Sequence, residues 1–281
     1  MSSSSRPFAC IGIGAPIMDS LAQVPDSFLS QVGGAKGGME YLDTPAMEKA
    51  LLSLQGQLHH VPGGSAANTT QALAQLGQPV TFLGKLGNDS AAEIYRNHFQ
   101  QAGGDVSRFK QGDLPNARCL SLVTPDSQRT MRTNLGAALT LSPQDITLAD
   151  FQDCRHAHLE GYLLFNPELT LHILKLARQA HCTISLDLAS FEVVQAAREQ
   201  LTDILGTYID IVFANEDEAK AFLGPDKTYP DLALELNQLC QVAAVKVGKD
   251  GSFIARDAQV TPIPPPKRHP RLGHHWRGRC L

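Results

Sequence analysis

The chain has 281 residues and a mass of 30.3 kDa, enough for one large α/β domain with a substantial core. Its 24 Lys and Arg against 28 Asp and Glu leave a net charge of −4, which excludes a global basic field for nucleic acid or an anionic membrane and points to a small-molecule partner. Six scattered cysteines without a C-x-x-C pair, no charged and apolar leader in "MSSSSRPFACIGIG", and no stretch near the ~20 apolar residues of a membrane span together predict a cytoplasmic protein.

In chain order, "FACIGIG" (Phe8 to Gly14) reads as a buried first strand closed by glycines. A helix is expected in "DTPAMEKALLSLQG", with Thr44 as cap and Pro45 as the first helical residue. "SAANTTQALAQLG" predicts a second helix, with Leu73 and Leu76 on its apolar face and Gly77 as its stop. After the strand "PVTFLG", Asp89 caps a helix in which Ile94, Tyr95 and Phe99 share a face. "ARCLSLVTPDSQRTMRT" breaks the alternation, because Pro125 and Asp126 lie between two strand-like runs as in a hairpin, a β insertion.

From "HAHLEGYLL" through "PELTLHILKLARQA", "TISLDLA", "FEVVQAAREQLTDIL" and "DIVFANEDEAKAFLG" to "VAAVKVG" the chain alternates strand and helix. That series predicts a doubly wound, mostly parallel α/β sheet with helices on both faces. Ligands of such sheets bind beyond the carboxyl ends of the strands, so residues just after strands carry most weight.

Four stretches could carry chemistry. In "PGGSAANTT", Gly63 and Gly64 would let a ligand approach the backbone and Asn68 could bond a sugar hydroxyl, although a tight strand-to-helix turn explains the same glycines. Asp19 could accept from two adjacent hydroxyls of a sugar, or be a turn Asp. Asn215 and Glu218, three apart at a strand end, could face a Mg²⁺-bound phosphate or form a helix cap. Lys246, Gly248 and Gly251 in "KVGKDGSF" could wall a nucleotide pocket or make a plain hairpin. The histidines show no metal-ligating spacing, and His59 and His60 read as ordinary surface or lid residues rather than ligands.

Together "GGSAANTTQALAQLG", "TFLGKLGND", "FANEDEA" and "VAAVKVGKDG" resemble, in order from about Phe8 to Pro266, the ribokinase-like or PfkB-type family of sugar and nucleoside kinases. "KGGMEYLD", "ARCLSLVTPDSQRTM" and "LEGYLL" are similar to its adenosine-kinase-like branch. The resemblance implies a doubly wound α/β kinase domain over residues 1–266, with β-lid segments at about 16–62 and 115–135. It also implies transfer of the ATP γ-phosphoryl group to a primary hydroxyl of adenosine, or alternatively of a ribose- or fructose-type sugar, with Mg²⁺ as the accompanying ion. On this reading Asp19 holds ribosyl hydroxyls and Gly63, Gly64 and Asn68 line the substrate site. Asn215 and Glu218 order Mg²⁺ and phosphate without ligating the metal directly, and Lys246, Gly248 and Gly251 lie by the nucleotide. Lid edge strands could pair two protomers.

The family's Asp-Thr-Thr-Gly-Ala-Gly-Asp run, an anion hole whose last Asp accepts the proton of the attacking hydroxyl, is absent from the 281 residues. Where it is due stands "KRHPRLGHHWRGRCL". Gly273 to Leu281 can be encoded so that reading from the second base gives Asp-Thr-Thr-Gly-Ala-Gly-Asp-Ala-Phe. The expectation is a one-base frameshift near Lys267 to Arg268, an out-of-frame tail over residues 267–281, no catalytic base in this chain and little or no phosphotransfer by it. A non-catalytic nucleoside- or sugar-binding protein is the reading from another class. A metal- or nucleic-acid-binding tail, through His274, His275 and Cys280, is a third.

Overall fold

The structure, a computed structural model, describes residues 7–265; the expectation for the tail at 267–281 lies outside them. The chain divides into two compact units, one of residues 11–145 and one of residues 146–265 with the segment through Cys10.

The first unit opens with β1 (Cys10–Ile13), β2 (Met18–Gln23), α1 (Leu29–Val32), β3 (Met39–Tyr41), α2 (Thr44–Ser53), β4 (His59–Pro62) and α3 (Ser65–Gln75). It continues with β5 (Val80–Leu83), β6 (Lys85–Leu86), α4 (Ser90–Gln101), β7 (Lys110–Gln111), β8 (Arg118–Val123) and β9 (Arg129–Asn134). Five of these strands form a small sheet in the order β3-β9-β8-β2-β4. The hairpin expected around Pro125 and Asp126 is the antiparallel pair β8 and β9, while β2 runs parallel to β8 and antiparallel to β4. Ala22, Leu120 and Leu122 on one face of this sheet pack with Phe28, Leu29, Met47 and Leu51 of the α1 and α2 region. At ~1.5–3 kcal/mol for each large apolar side chain removed from water, this cluster holds the small sheet together.

Three local expectations are corrected. Asp43, not Thr44, caps α2: its backbone is extended and its carboxylate accepts from the Ala46 N–H at 2.8 Å. A carboxylate there also meets the positive end of the helix, which a Thr hydroxyl does not match. Leu76 is not on the buried face of α3 but 76 % exposed, and the helix buries Ala66, Ala67, Thr70 and Ala74 instead. The helix lies so close to β1 that a Cβ on Gly12 would fall 2.6 Å from Thr70 Oγ1, and only small residues fit at that separation. Gly77 does stop α3, in a left-handed turn where Gly77 N–H and Gln78 N–H bond the carbonyls of Ala74 and Leu73. On α4, Asp89 caps as expected and Tyr95 and Phe99 are buried, but Ile94 is 51 % exposed. Ala91, Ala92, Tyr95 and Phe99 repeat at three to four residues, and Ile94 falls off that stripe.

The second unit contains β10 (His156–Glu160), α5 (Pro167–Gln179), β11 (Thr183–Asp187), α6 (Phe191–Tyr208), β12 (Ile211–Asn215), α7 (Glu216–Leu223), α8 (Tyr229–Asn237), β13 (Val242–Lys246), β14 (Ser252–Arg256) and β15 (Gln259–Ile263). Strands β10 to β13 are parallel in sequence order, and β14 and β15 extend the sheet antiparallel. Their apolar runs are buried as the alternating series predicts: Ile184, Val212, Ala214, Ala243 and Val245 are fully or almost fully enclosed. The carboxyl ends of the four parallel strands carry Glu160, Asp187, Asn215 and Lys246. Among the described residues no helix is long and apolar enough to cross a membrane.

Candidate functional site

In residues 11–145 the structure brings Asp19 and Gly63 together. Asp19 pairs with Val61 of β4 and with Cys119 of β8, and a Cβ on Gly63 would sit 2.6 Å from Asp19 Oδ2. The carboxylate therefore rests on bare glycine backbone, which is anchored by Gly63 N–H to the Ile17 carbonyl at 2.8 Å and by the buried Tyr95 hydroxyl donating to the Gly63 carbonyl at 2.8 Å. Gly64 is the N-cap of α3 at φ 103° and ψ 135°, a left-handed conformation that disfavours any side chain. Asn68, one turn into α3, is exposed. His59 and His60 lie on β4, and His60 Nδ1 sits 2.9 Å from Ser20 Oγ.

Strand register defines what surrounds Asp19. Side chains alternate across a sheet, so directly paired residues share a face. Asp19, Val61, Cys119 and Thr133 form one row, Leu21, His59, Ser121 and Met131 the next, with Tyr41 and Met39 at the β3 edge. This face is opposite to the one packed under α1 and α2. A single carboxylate thus stands in a strip that is otherwise largely apolar.

Neither glycine has room for a Cβ, which would meet the Asp19 carboxylate at Gly63 and the backbone of Ala15 at Gly64. Gly64→Ala would place a Cβ 2.5 Å from the Ala15 carbonyl oxygen at a strained φ, and is expected to lower stability by at least ~2 kcal/mol. Chemical denaturation of the variant measures this; an unchanged midpoint would contradict the geometry.

In residues 146–265, Asn215 and Glu218 make a complete capping box. Glu218 N–H donates to Asn215 Oδ1 at 2.8 Å, Asn215 N–H to Glu218 Oε2 at 2.8 Å, and Asn215 Nδ2 to Glu218 Oε1 at 2.7 Å. The cap read from the sequence is thus present, and it holds the Glu218 carboxylate rigid at a strand end. Glu218 is 2 % exposed, and burial pushes its carboxyl above the usual range despite the Asn215 bond. With both oxygens engaged, the carboxylate fits contact with an ion's water shell rather than direct ligation, and among the described residues no group of three His, Cys, Asp or Glu is disposed to hold a metal.

Lys246 stands beside Asn215 in register and donates to Asp187 Oδ2 at 3.0 Å. Gly248 at φ 54° and Gly251 at φ 95° form the turn from β13 to β14, where a Cβ on Gly251 would strike the Ile263 carbonyl oxygen at 2.1 Å. Gly251 is thus required by the hairpin itself. An ammonium next to a glycine turn at a strand end fits a phosphate chain.

Asp187 escapes a reading of the sequence by motif. It ends β11, its Oδ2 meets Lys246, and its Oδ1 accepts from the N–H of Ala189, itself in the left-handed region at φ 65°. Its place at the carboxyl end of "TISLDLA" is the one signal that could have found it.

Known proteins resemble the chain in sequence and in fold. The chain is 29 % identical over 178 residues to an adenosine kinase from Dictyostelium discoideum, covering 58 % of this chain and 50 % of that protein. It is 28 % identical over 218 residues to a 5-dehydro-2-deoxygluconokinase from Clostridium perfringens, covering 72 % and 64 %. The chain therefore spans about half to two thirds of the length of these curated relatives. Among solved structures, adenosine kinase from Sinorhizobium meliloti superposes with a TM-score of 0.80 at 28 % identity, covering 94 % of this chain and 82 % of that one. The mostly parallel α/β sheet with its helices and small additional β-sheet is thus a ribokinase-like fold. The pfkB family carbohydrate kinase profile matches residues 40–270, and since that is well over half of its length, the chain belongs to the pfkB family of carbohydrate kinases.

Proposed function

We infer that this chain is built as an ATP-dependent phosphotransferase acting on the primary hydroxyl of a nucleoside, adenosine in preference to a plain sugar. The observation that carries the nucleoside preference is the face around Asp19. A carboxylate suits vicinal ribosyl hydroxyls, whereas Leu21, Val61, Cys119 and Met131 beside it offer the apolar surface that a heterocyclic base needs and a bare sugar does not. The adenosine kinases among its relatives support the same preference.

Phosphoryl transfer asks the protein for positioning and charge neutralisation. Asp19, with Gly63, Gly64 and Asn68, would hold the acceptor; Lys246 and the turn at Gly248 and Gly251 would hold the nucleotide phosphates. Asn215 and Glu218 would order the water shell of Mg²⁺, which when bound neutralises phosphate charge. Deprotonation of the acceptor hydroxyl needs a base that the run Asp-Thr-Thr-Gly-Ala-Gly-Asp would supply, and the 281 residues do not contain it. On this reading the 281 residues as written would bind the nucleoside with little or no turnover, with residues 267–281 the out-of-frame remnant of that run. Among the described residues five cysteines are free and four of these are buried, which fits a reducing, cytoplasmic setting.

Calorimetry with adenosine, ribose and fructose tests the preference: adenosine is expected to bind at least ~10-fold more tightly than either sugar. Tighter binding of ribose or fructose would transfer the assignment to a sugar kinase. A phosphotransfer assay of the same chain is expected to show no product, and product appearing only after the base is restored by resequencing and repair across the codons for Pro264 to Leu281. Robust adenosine phosphorylation by the chain as written would refute the missing-base argument.

A further inference from the structure

One face of the sheet in residues 146–265 carries more polar chemistry than phosphate binding requires. Register aligns His156 with Thr183, His158 with Ser185, and Glu160 with Asp187 and Phe213; Asn215 and Lys246 pair on the same face one row further. Alternate positions of in-register strands share a face. Ser185 Oγ lies 2.7 Å from both His158 Nδ1 and His156 Nε2, and His156 Nδ1 lies 2.8 Å from Thr183 Oγ1. Thr183 Oγ1 donates to the Arg155 carbonyl at 3.3 Å.

These bonds order the protons. Thr183 gives its single hydroxyl proton to the carbonyl, so it accepts from His156 Nδ1–H. Neutral His156 then accepts at Nε2 from the Ser185 hydroxyl, and Ser185 accepts from His158 Nδ1–H. His158 Nε2 is left as a bare lone pair, and it is buried without a hydrogen-bond partner. The Phe213 ring lies near-perpendicular to the imidazole, with 6.0 Å between centroids. A buried acceptor left unmade is costly and calls for a cause.

The charged neighbours supply one. On its own strand His158 has His156 and Glu160; β11 adds Asp187, β13 adds Lys246, and the first strand adds the Cys10 thiol, kept neutral by burial that pushes it up to about 12. From β12 the face offers Ile211, Phe213 and, one row further, Asn215, none of them titratable. In the free protein Lys246 is bonded to Asp187. Were Lys246 to turn to a phosphate, Asp187, whose side chain is only 19 % exposed, would keep the Ala189 N–H but lose its counter-charge, an expensive state for a half-buried carboxylate.

We propose that His158 is a positioning residue which takes a proton from solvent onto Nε2 when Lys246 leaves Asp187 for a phosphate chain, so that an imidazolium replaces the ammonium beside that carboxylate. One proton is gained, and only the Lys246–Asp187 contact is exchanged. Burial holds the free imidazole down to about 4, which explains why the proton is absent beforehand. The inference rests on the assignment of Lys246 to the nucleotide phosphates.

Binding of ADP without metal, followed by calorimetry at pH 5.5 in two buffers of different ionisation enthalpy, tests it on the 281-residue chain. Comparison with His158→Gln and, as control, His60→Gln cancels the proton equilibria of ADP itself. The parent and His60→Gln are expected to take up more protons per ADP than His158→Gln, and to gain at least ~3-fold more affinity between pH 7.5 and 5.5. Imidazole ¹⁵N spectra should show His158 as the Nδ1–H tautomer when free and doubly protonated when ADP is bound, a readout that needs no variant to fold. Binding with equal proton uptake in all three chains, or an Nε2–H tautomer in the free protein, overturns the role of His158 alone. Absence of ADP binding to every chain overturns the assignment of Lys246 as well.

Discussion

Asp19→Ala is expected to weaken adenosine binding by at least ~100-fold, because a carboxylate that accepts from two hydroxyls makes two charge-assisted bonds of about 1.5–3 kcal/mol each, and every 1.4 kcal/mol is about tenfold in affinity. The same substitution should leave the fold intact. Asp19 sits at the half-buried face of the small sheet, against the bare backbone of Gly63, while the hydrophobic cluster around Leu120 and Leu122 occupies the other face. Asp19→Asn keeps the shape on Gly63 but trades one acceptor oxygen for a donor, so its loss should fall between parent and Ala. Adenosine calorimetry beside thermal unfolding separates the two effects. Full-strength binding by Asp19→Ala would remove Asp19 from the site, and with it the sheet face on which the nucleoside preference rests.

The parts of this fold legible in the sequence are those dictated by local chemistry. The strands "TISLDLA" and "VAAVKVG" could be read because parallel strands covered on both sides need continuous apolar runs. Gly77 could be read as a stop because its left-handed turn excludes most other residues. What could not be read depends on partners distant in the chain. Leu76 looked like core until the Gly12 contact showed that α3 lies too close to β1 for anything larger than Ala or Thr on its inner face. Asp43 was passed over for Thr44 because Thr-Pro is itself a good helix opening, and only the backbone angles decide between adjacent candidates.

The candidate site divides in the same way. Asn215 and Glu218 announce themselves at a spacing of three, and the box they form is local. Lys246 was visible, but its partner Asp187 is 59 residues away. The column of His158, Ser185, His156 and Thr183 exists only through the register of β10 on β11. In sequence these are four unremarkable polar residues interrupting two apolar runs, and a strand reading has no means to pair them.

That column also sets the expected acid response of the fold. His158 is depressed from 6.5 to about 4 by burial, with His156 and Lys246 opposing its charge and Asp187 favouring it; burial lowers His156 too. A depressed histidine resists protonation in the folded state, so the unfolded chain binds more protons between pH 6.5 and about 4. The stabilisation is therefore complete above about pH 6.5 and is lost as pH falls towards 4. For His158 the loss between pH 7 and 4.5 is about 2 kcal/mol, a large share of the 5–15 kcal/mol that typically separates folded from unfolded protein. Glu218 acts in the opposite sense, since its raised pKa makes the folded state the better proton acceptor at that carboxyl as pH falls. Urea unfolding of the parent and of His158→Gln at pH 7, 5.5 and 4.5 isolates the histidine together with its coupling to Asp187, because the carboxylates remote from it titrate alike in both chains. The parent should lose about 2 kcal/mol more than the variant across that range; parallel losses would mean that His158 is solvated or already charged. A neutral, buried imidazole near Asp187 and Lys246 is then a weak point of the fold in acid, and the same protonation is the event that the proposed exchange of Lys246 for His158 beside Asp187 would draw on.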